Sequence, residues 1–150
     1  MNADGQHAPR SPVVLVVDDE PLIREFLAVA LADAGFTVCA AEDGVAALAA
    51  LRSIRPVAVV TDLMMPRMDG WELCRRLRGA AETATIPLIV VSALQTKAAP
   101  GDAFLAKPFE LDALLAVLRR LAPLSVASAD GTVGQTGDLT LQSITDPQPW

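Results

Sequence analysis

The feature that most constrains the fold of this chain is a set of short, unbroken apolar runs, each halted by polar residues. Pro12-Val13-Val14-Leu15-Val16-Val17 is apolar and β-branched without alternation, and it stops at Asp18-Asp19-Glu20. A strand with one wet face alternates apolar and polar residues, so a continuous run of this kind belongs to a strand buried on both faces. Similar runs occur at Val57 to Thr61, Pro87 to Val91 and, more briefly, Ala103 to Ala106, and Phe36 to Ala40 reads as a further strand. Helical patterns lie between them. Pro21 can open a helix at its first turn, Ile23, Phe26, Leu27, Ala30, Leu31 and Ala34 recur at helical spacing, and Gly35 ends it. Asp43-Gly44 leads into an Ala/Leu-rich helix that stops before Pro56, and another helix runs from about Gly70 to Arg78. Leu111, Leu114, Leu115, Leu118 and Leu121 line one face of a last helix. Strands alternating with helices predict a doubly wound α/β fold, a five-stranded parallel sheet with helices on both faces, for which 2-1-3-4-5 is a common strand order.

At 150 residues the chain has the length of one domain. We place that domain at residues 12–122, between a polar N-terminal arm (1–11) and a flexible C-terminal tail (123–150) rich in Gly, Ser, Thr and Asp. A net charge of -6 argues against nucleic acid and anionic membranes as partners, because both would repel the chain. Cys39 and Cys74 sit in apolar stretches without ligand spacing and read as reduced core residues. No secretory signal or membrane-length apolar stretch is visible, so the expected location is the cytoplasm, as a monomer or weak dimer.

The chemistry follows from where polar residues fall. In an open parallel sheet, sites form at the carboxyl ends of the strands. The first run ends in Asp18-Asp19, the third in Asp62, the fourth in Ser92 and the fifth in Lys107. Three carboxylates at one edge repel each other unless a cation sits among them, and a hard divalent ion, Mg²⁺ above all, suits oxygen ligands. One carboxylate can then attack a phosphoryl group while the metal, Lys107 and the Ser92 hydroxyl hold its oxygens. These are the parts of a phosphoryl-transfer site.

From about Val13 to Leu121 the sequence resembles the receiver domains of two-component response regulators. Asp18-Asp19-Glu20 resembles their acidic pair, and Thr61-Asp62-Leu63-Met64-Met65-Pro66-Arg67-Met68-Asp69-Gly70 their phosphoacceptor loop. Val91-Ser92-Ala93 is similar to the hydroxyl position, Lys107-Pro108-Phe109 to the Lys-Pro-Phe turn, and Phe104 falls where the family carries a switch aromatic. The resemblance implies that Asp62 accepts a phosphoryl group from a histidine kinase or histidine phosphotransfer protein. It also implies that Asp19, Asp62 and the backbone carbonyl of Met64 ligate Mg²⁺, with Asp18 acting through water. Phosphorylation then switches contacts with a downstream protein through Ser92 and Phe104, so the chain is a phosphoacceptor switch with self-directed chemistry rather than an enzyme. The Lys107-Pro108 bond is expected to be cis. The single histidine, His7, lies in the N-terminal arm and offers no phosphohistidine helix, so the donor is another protein or a small acyl phosphate.

Taken singly, each residue has an ordinary structural reading. Asp18-Asp19 can cap a helix, Ser92 can cap a turn, Lys107 can be a solvated lysine, and Phe104 is as readily plain core as a switch. Met64, Met65 and Met68 pack a loop, although the apolar Met64 lies two residues past Asp62, where it can shade a phosphoryl group and cannot position water. Rival chemistries fit less well. A dehalogenase-type phosphatase needs Asp where Met64 stands, a flavodoxin-like flavin site would be repelled by Asp18-Asp19-Glu20, and no Gly-rich Lys-Ser/Thr loop exists for a nucleotide hydrolase. One departure from the family stands out. The fifteen-residue step from Ser92 to Lys107 is too short for the family's fourth helix, and Pro100-Gly101 interrupts it. That helix is expected to be reduced or absent, which favours, as the alternative, a receiver-shaped interaction module without phosphorylation-dependent output. The short crossover also predicts an uncovered apolar gap near Leu88, Val90 and Leu105, which Leu139-Thr140-Leu141, Ile144 and Trp150 of the tail would cover.

Overall fold

The computed structural model describes residues 11–94, 96 and 98–122. In chain order the elements are β1 (Val13–Val17), α1 (Pro21–Asp33), β2 (Thr37–Ala41), α2 (Gly44–Ala50), β3 (Ala58–Thr61), α3 (Gly70–Gly79), β4 (Leu88–Ser92), β5 (Ala103–Ala106) and α4 (Leu111–Leu121). The five strands form one sheet in the order β2-β1-β3-β4-β5, every pair parallel, as the apolar runs predict. Both terminal segments, with the tail residues proposed to cover the sheet, lie outside the described residues.

Element boundaries differ from the sequence expectation by small steps with local causes. β2 begins at Thr37 because the N–H of Phe36 is still spent on the carbonyl of Leu31 at the end of α1, at 3.0 Å. α2 stops well before Pro56, since Arg52 and Ser53 donate to Ala49 and Ala50 three residues back and tighten the chain into a turn. β4 begins at Leu88, although the Pro87 carbonyl still accepts the N–H of Val59.

The central strands β1, β3 and β4 are buried on both sides, with successive residues facing opposite layers. Leu15, Val17, Val59, Leu88 and Val90 belong to the core beneath α2 and α3, where Ala47, Leu51, Leu73, Cys74 and Leu77 pack on them. The intervening residues Val14, Val16, Val60, Ile89 and Val91 face the other way, toward the side of buried Leu27 and Leu31 of α1 and Leu114 and Leu118 of α4. Cys39 and Cys74 are free, and burial pushes the Cys74 thiol up to about 11.

Among the described residues no helix lies between β4 and β5, in line with the expected loss. The described part of the connection lies against the core at the place of the expected gap. Leu88 and Val90 are fully buried, and Ala99 of the connection packs with Phe104 against the core they belong to. Leu105 does not share that surface: it pairs in register with Val91, one residue out of phase with Val90, and so lies on the opposite face. A polar anchor fastens the short connection. Asp102 donates its N–H to the Leu88 carbonyl at 2.7 Å and accepts the Leu88 N–H on Oδ2 at 2.8 Å. Arg78 of α3 donates to the same carboxylate at 2.6 Å and to the carbonyls of Ala84 and Ile86. Asp102→Ala is expected to leave a buried N–H without a partner and to destabilise the fold by about 1–3 kcal/mol, toward the lower end because the carboxylate is partly solvated. Urea unfolding of the two proteins measures the difference.

Candidate functional site at the carboxyl edge of the sheet

Strand register assembles the site. Val17 pairs with Thr61 across β1 and β3, so Asp18 and Asp62, the next residues of each strand, emerge side by side. The N–H of Asp62 donates to the Val17 carbonyl at 3.0 Å and that of Asp18 to the Ala41 carbonyl at 3.1 Å, extending the ladder to the edge. Ser92 pairs with Ala106, and the Lys107 N–H donates to the Ser92 carbonyl at 2.9 Å, which brings the lysine to the same edge.

At that edge the Lys107 ammonium donates to Asp18 Oδ2 at 2.8 Å and to Asp62 Oδ2 at 3.0 Å. Asp18 and Asp62 are both buried, at 1% and 6% exposure, so the lysine is the charge that makes their burial tolerable. Burial alone would lower the Lys107 pKa; hydrogen bonds and charge from the two carboxylates outweigh it and raise the pKa above the ordinary lysine value. The second oxygen of each carboxylate is oriented by backbone. Asp18 Oδ1 accepts the Glu20 N–H at 2.9 Å, and Asp62 Oδ1 accepts the N–H groups of Leu63 at 2.6 Å and Met64 at 3.3 Å. Asp19 is exposed, and among the described residues no hydrogen bond reaches its carboxylate. One ligand atom from each of Asp18, Asp19 and Asp62 lies within 4.8 Å of the other two. An all-oxygen set with lone pairs to spare fits a hard divalent cation.

The remaining expected residues fall in different places. Ser92 is fully buried, and its hydroxyl accepts the Leu94 N–H at 3.1 Å, which is the turn-capping role such a hydroxyl can play by default. Phe104 is half-buried and packs against the α2/α3 core. The Met64 side chain is 60% exposed beside Asp62. The Lys107-Pro108 bond is cis. Two residues that sequence reasoning overlooked also belong to the neighbourhood. Arg24 of α1 donates to the Asp18 carbonyl at 2.7 Å, and Asp43 is buried while capping α2 through the Ala46 N–H. An arginine in the first turns of α1 carries no signature in the sequence, whereas Asp43 before Gly44 is a cap signal whose burial was not foreseeable.

The model of the response regulator receiver domain matches residues 14–119. The chain belongs to that family. It is the receiver domain of a two-component response regulator. Among its relatives, response regulator MprA of Mycobacterium tuberculosis is 41% identical, the match covering 88% of this chain and 60% of that protein. MprA of Mycobacterium avium is 40% identical over 88% of this chain and 61% of its own. The chain thus spans about three fifths of the length of these curated relatives. The expectation that excludes nucleic acid rests on the charge of this receiver alone and gains no support from relatives of that greater length. Among solved structures, chemotaxis response regulator CheY4 of Vibrio cholerae superposes with a TM-score of 0.69 at 31% identity, covering 75% of this chain and 99% of that one. Response regulator TrrA of Thermotoga maritima, solved in complex with Mg²⁺-BeF, gives 0.67 at 30% identity, covering 73% and 98%. No helix of the described residues is long and apolar enough to cross a membrane.

Two predictions test how this edge is built. Gly70 begins α3 hard against the phosphoacceptor-like strand end: its N–H donates to the Leu63 carbonyl at 2.9 Å, and a Cβ would run into the Asp62 carbonyl oxygen and stand 2.8 Å from Leu63 Cα. Those neighbours are backbone and cannot step aside. Gly70→Ala is therefore expected to destabilise the receiver by about 1–3 kcal/mol or more, read by urea unfolding. The second concerns Lys107. A raised folded-state pKa contributes stability that is complete below the unfolded value near 10.5 and disappears as pH rises through the folded value. Unfolding free energy should fall in that alkaline window, and Lys107→Met should lack this component of the fall.

Proposed function

We propose that this receiver accepts a phosphoryl group on Asp62 from a phosphohistidine of a sensor kinase or phosphotransfer protein, with Mg²⁺ bound, and that the modified form switches protein contacts in the cytoplasm. The observation that carries the reading is the Lys107 ammonium held between Asp18 and Asp62, at 2.8 and 3.0 Å, beside a third carboxylate. An Asp62 oxygen forms the new bond to phosphorus as the donor's P–N bond breaks, and the electron pair stays on the departing imidazole nitrogen. The Leu63 and Met64 N–H groups hold Asp62 Oδ1 fixed during attack, so the carboxylate is oriented before the donor arrives. Lys107 exchanges a carboxylate partner for a phosphoryl oxygen and keeps its charge compensated throughout. The Ser92 hydroxyl now accepts from Leu94 and has its own proton free to donate to a phosphoryl oxygen. Asp19 and Asp62, with the Met64 carbonyl, would hold the cation, while Asp18, already engaged by Lys107 and Glu20, would act through water. The cation would neutralise developing charge on the phosphoryl oxygens.

A protein donor is supported by the surface around this edge. Ile23 and Phe26 of α1 line a groove of about 340 Å³ with Ala93, Lys107, Pro108 and Phe109. Leu22 and Phe26 stand exposed, at 77% and 52%, where a soluble surface would ordinarily be polar. The missing helix between β4 and β5 favours a second reading, an interaction module whose phosphorylation has no output. Incubation with acetyl phosphate and Mg²⁺, followed by intact mass, tests the chemistry. The expected result is one added phosphoryl group on the parent and none on Asp62→Asn. Equal labelling of the Asn variant would sink the assignment, and absence of labelling on both would leave the interaction module.

A further inference from the structure

The acidic edge does not account for the most unusual backbone conformation in the molecule. Among the described residues, Arg67 is the one non-glycine residue with positive φ, at 65°. It is the centre of a three-residue turn that the Met68 N–H closes on the Pro66 carbonyl at 2.6 Å. An L-residue persists in such a turn only where its surroundings hold it there. What holds Arg67 lies across the surface at the β2–α2 junction. Its guanidinium reaches Glu42 at 3.2 Å and forms a closer ion pair with Asp43. Asp43 is buried, and its Oδ1 is committed to capping α2 through the Ala46 N–H at 2.8 Å. Its Oδ2 receives no well-directed hydrogen bond, so among the described residues the Arg67 charge is what compensates that oxygen. A second tie runs alongside. The Gly44 N–H donates to the Met68 carbonyl at 3.3 Å, and the bare Cα of Gly44 makes room for the Met68 side chain, whose Cγ and Sδ would lie 2.7 Å from a Cβ.

We infer that Arg67 is a positioning residue of the phosphoacceptor site: its ion pair with Asp43 clamps the loop that follows Asp62 to the start of α2. The inference rests on the phosphoacceptor reading above. The loop from Leu63 to Asp69 supplies the two N–H groups that orient Asp62 and the Met64 carbonyl expected to meet the cation. Its far end is fixed where Asp69 caps α3 through the Glu72 N–H and Gly70 bonds back to Leu63. The stretch between those ends is tied to the rest of the fold through Arg67 and Met68. The guanidinium is 57% exposed and the Asp43 side chain 2%, so the pair also contributes stability by compensating a buried charge. Its further effect falls on where the loop sits.

Arg67→Gly preserves the turn, because glycine adopts positive φ without strain, and removes the side chain that carries the guanidinium. Calorimetric titration of the full chain with Mg²⁺ is expected to show affinity weakened at least about fivefold and labelling by acetyl phosphate slowed in parallel, alongside a fall in melting temperature from the uncompensated Asp43 carboxylate. Asp43→Asn, which keeps the Oδ1 cap, should give a similar loss, and the double variant should lose no more than either single one. Mg²⁺ affinity and labelling equal to the parent would overturn the clamp, as would a fall in melting temperature with affinity unchanged. Failure of the parent itself to be labelled at Asp62 would instead overturn the phosphoacceptor reading on which the clamp depends.

Discussion

Everything at the functional edge depends on one ammonium group shared by two buried carboxylates. Asp18 and Asp62 come from adjacent strands and are nearly excluded from water, a placement that mutual repulsion and desolvation both oppose. Lys107 resolves the conflict from a third strand, and it does so while its own burial disfavours its charge. Each member is thus tolerable only in the presence of the others. On the proposed function such a set would be poised for exchange: a divalent cation and a phosphoryl group would bring charges of both signs, and the lysine could follow the negative charge without leaving the edge.

The sheet was read correctly from the sequence because its signals are redundant. The three apolar runs that become β1, β3 and β4 can hardly be anything except doubly covered strands, and each ends at a polar residue of the candidate site. The positions of Asp18, Asp62, Ser92 and Lys107 followed from that alone, since parallel strands must deliver their carboxyl ends to one edge. Boundaries were less legible, because a terminal residue such as Phe36 is claimed by whichever neighbour its N–H reaches first, and that is a matter of helix termination rather than of apolar pattern.

What the sequence concealed was the polar anchoring. Arg24, Asp43, Arg67, Arg78 and Asp102 look like surface charges in a chain of net charge -6, and nothing in their spacing pairs Arg67 with Asp43 or Arg78 with Asp102. Those pairings are long-range consequences of the fold. The anchoring of the short connection before β5 was hidden for a related reason. Counting residues in the crossover predicts the loss of a helix, and it does not reveal that Asp102 can draw a short connection down onto Leu88.

Arg78 and Arg67 show the same device used for different ends. Each reaches from one segment to an aspartate that is already bonded to a backbone N–H, Leu88 for Asp102 and Ala46 for Asp43. In each case the aspartate orders local backbone and the arginine ties that backbone to a second element. At β5 the tied segment replaces a missing helix, and the consequence is stability of an edge strand. Beside Asp62 the tied segment is a loop whose N–H groups point at the Asp62 carboxylate, and the consequence is orientation. The difference lies in what the anchored backbone does next more than in the pairs themselves, each of which has a partly solvated guanidinium.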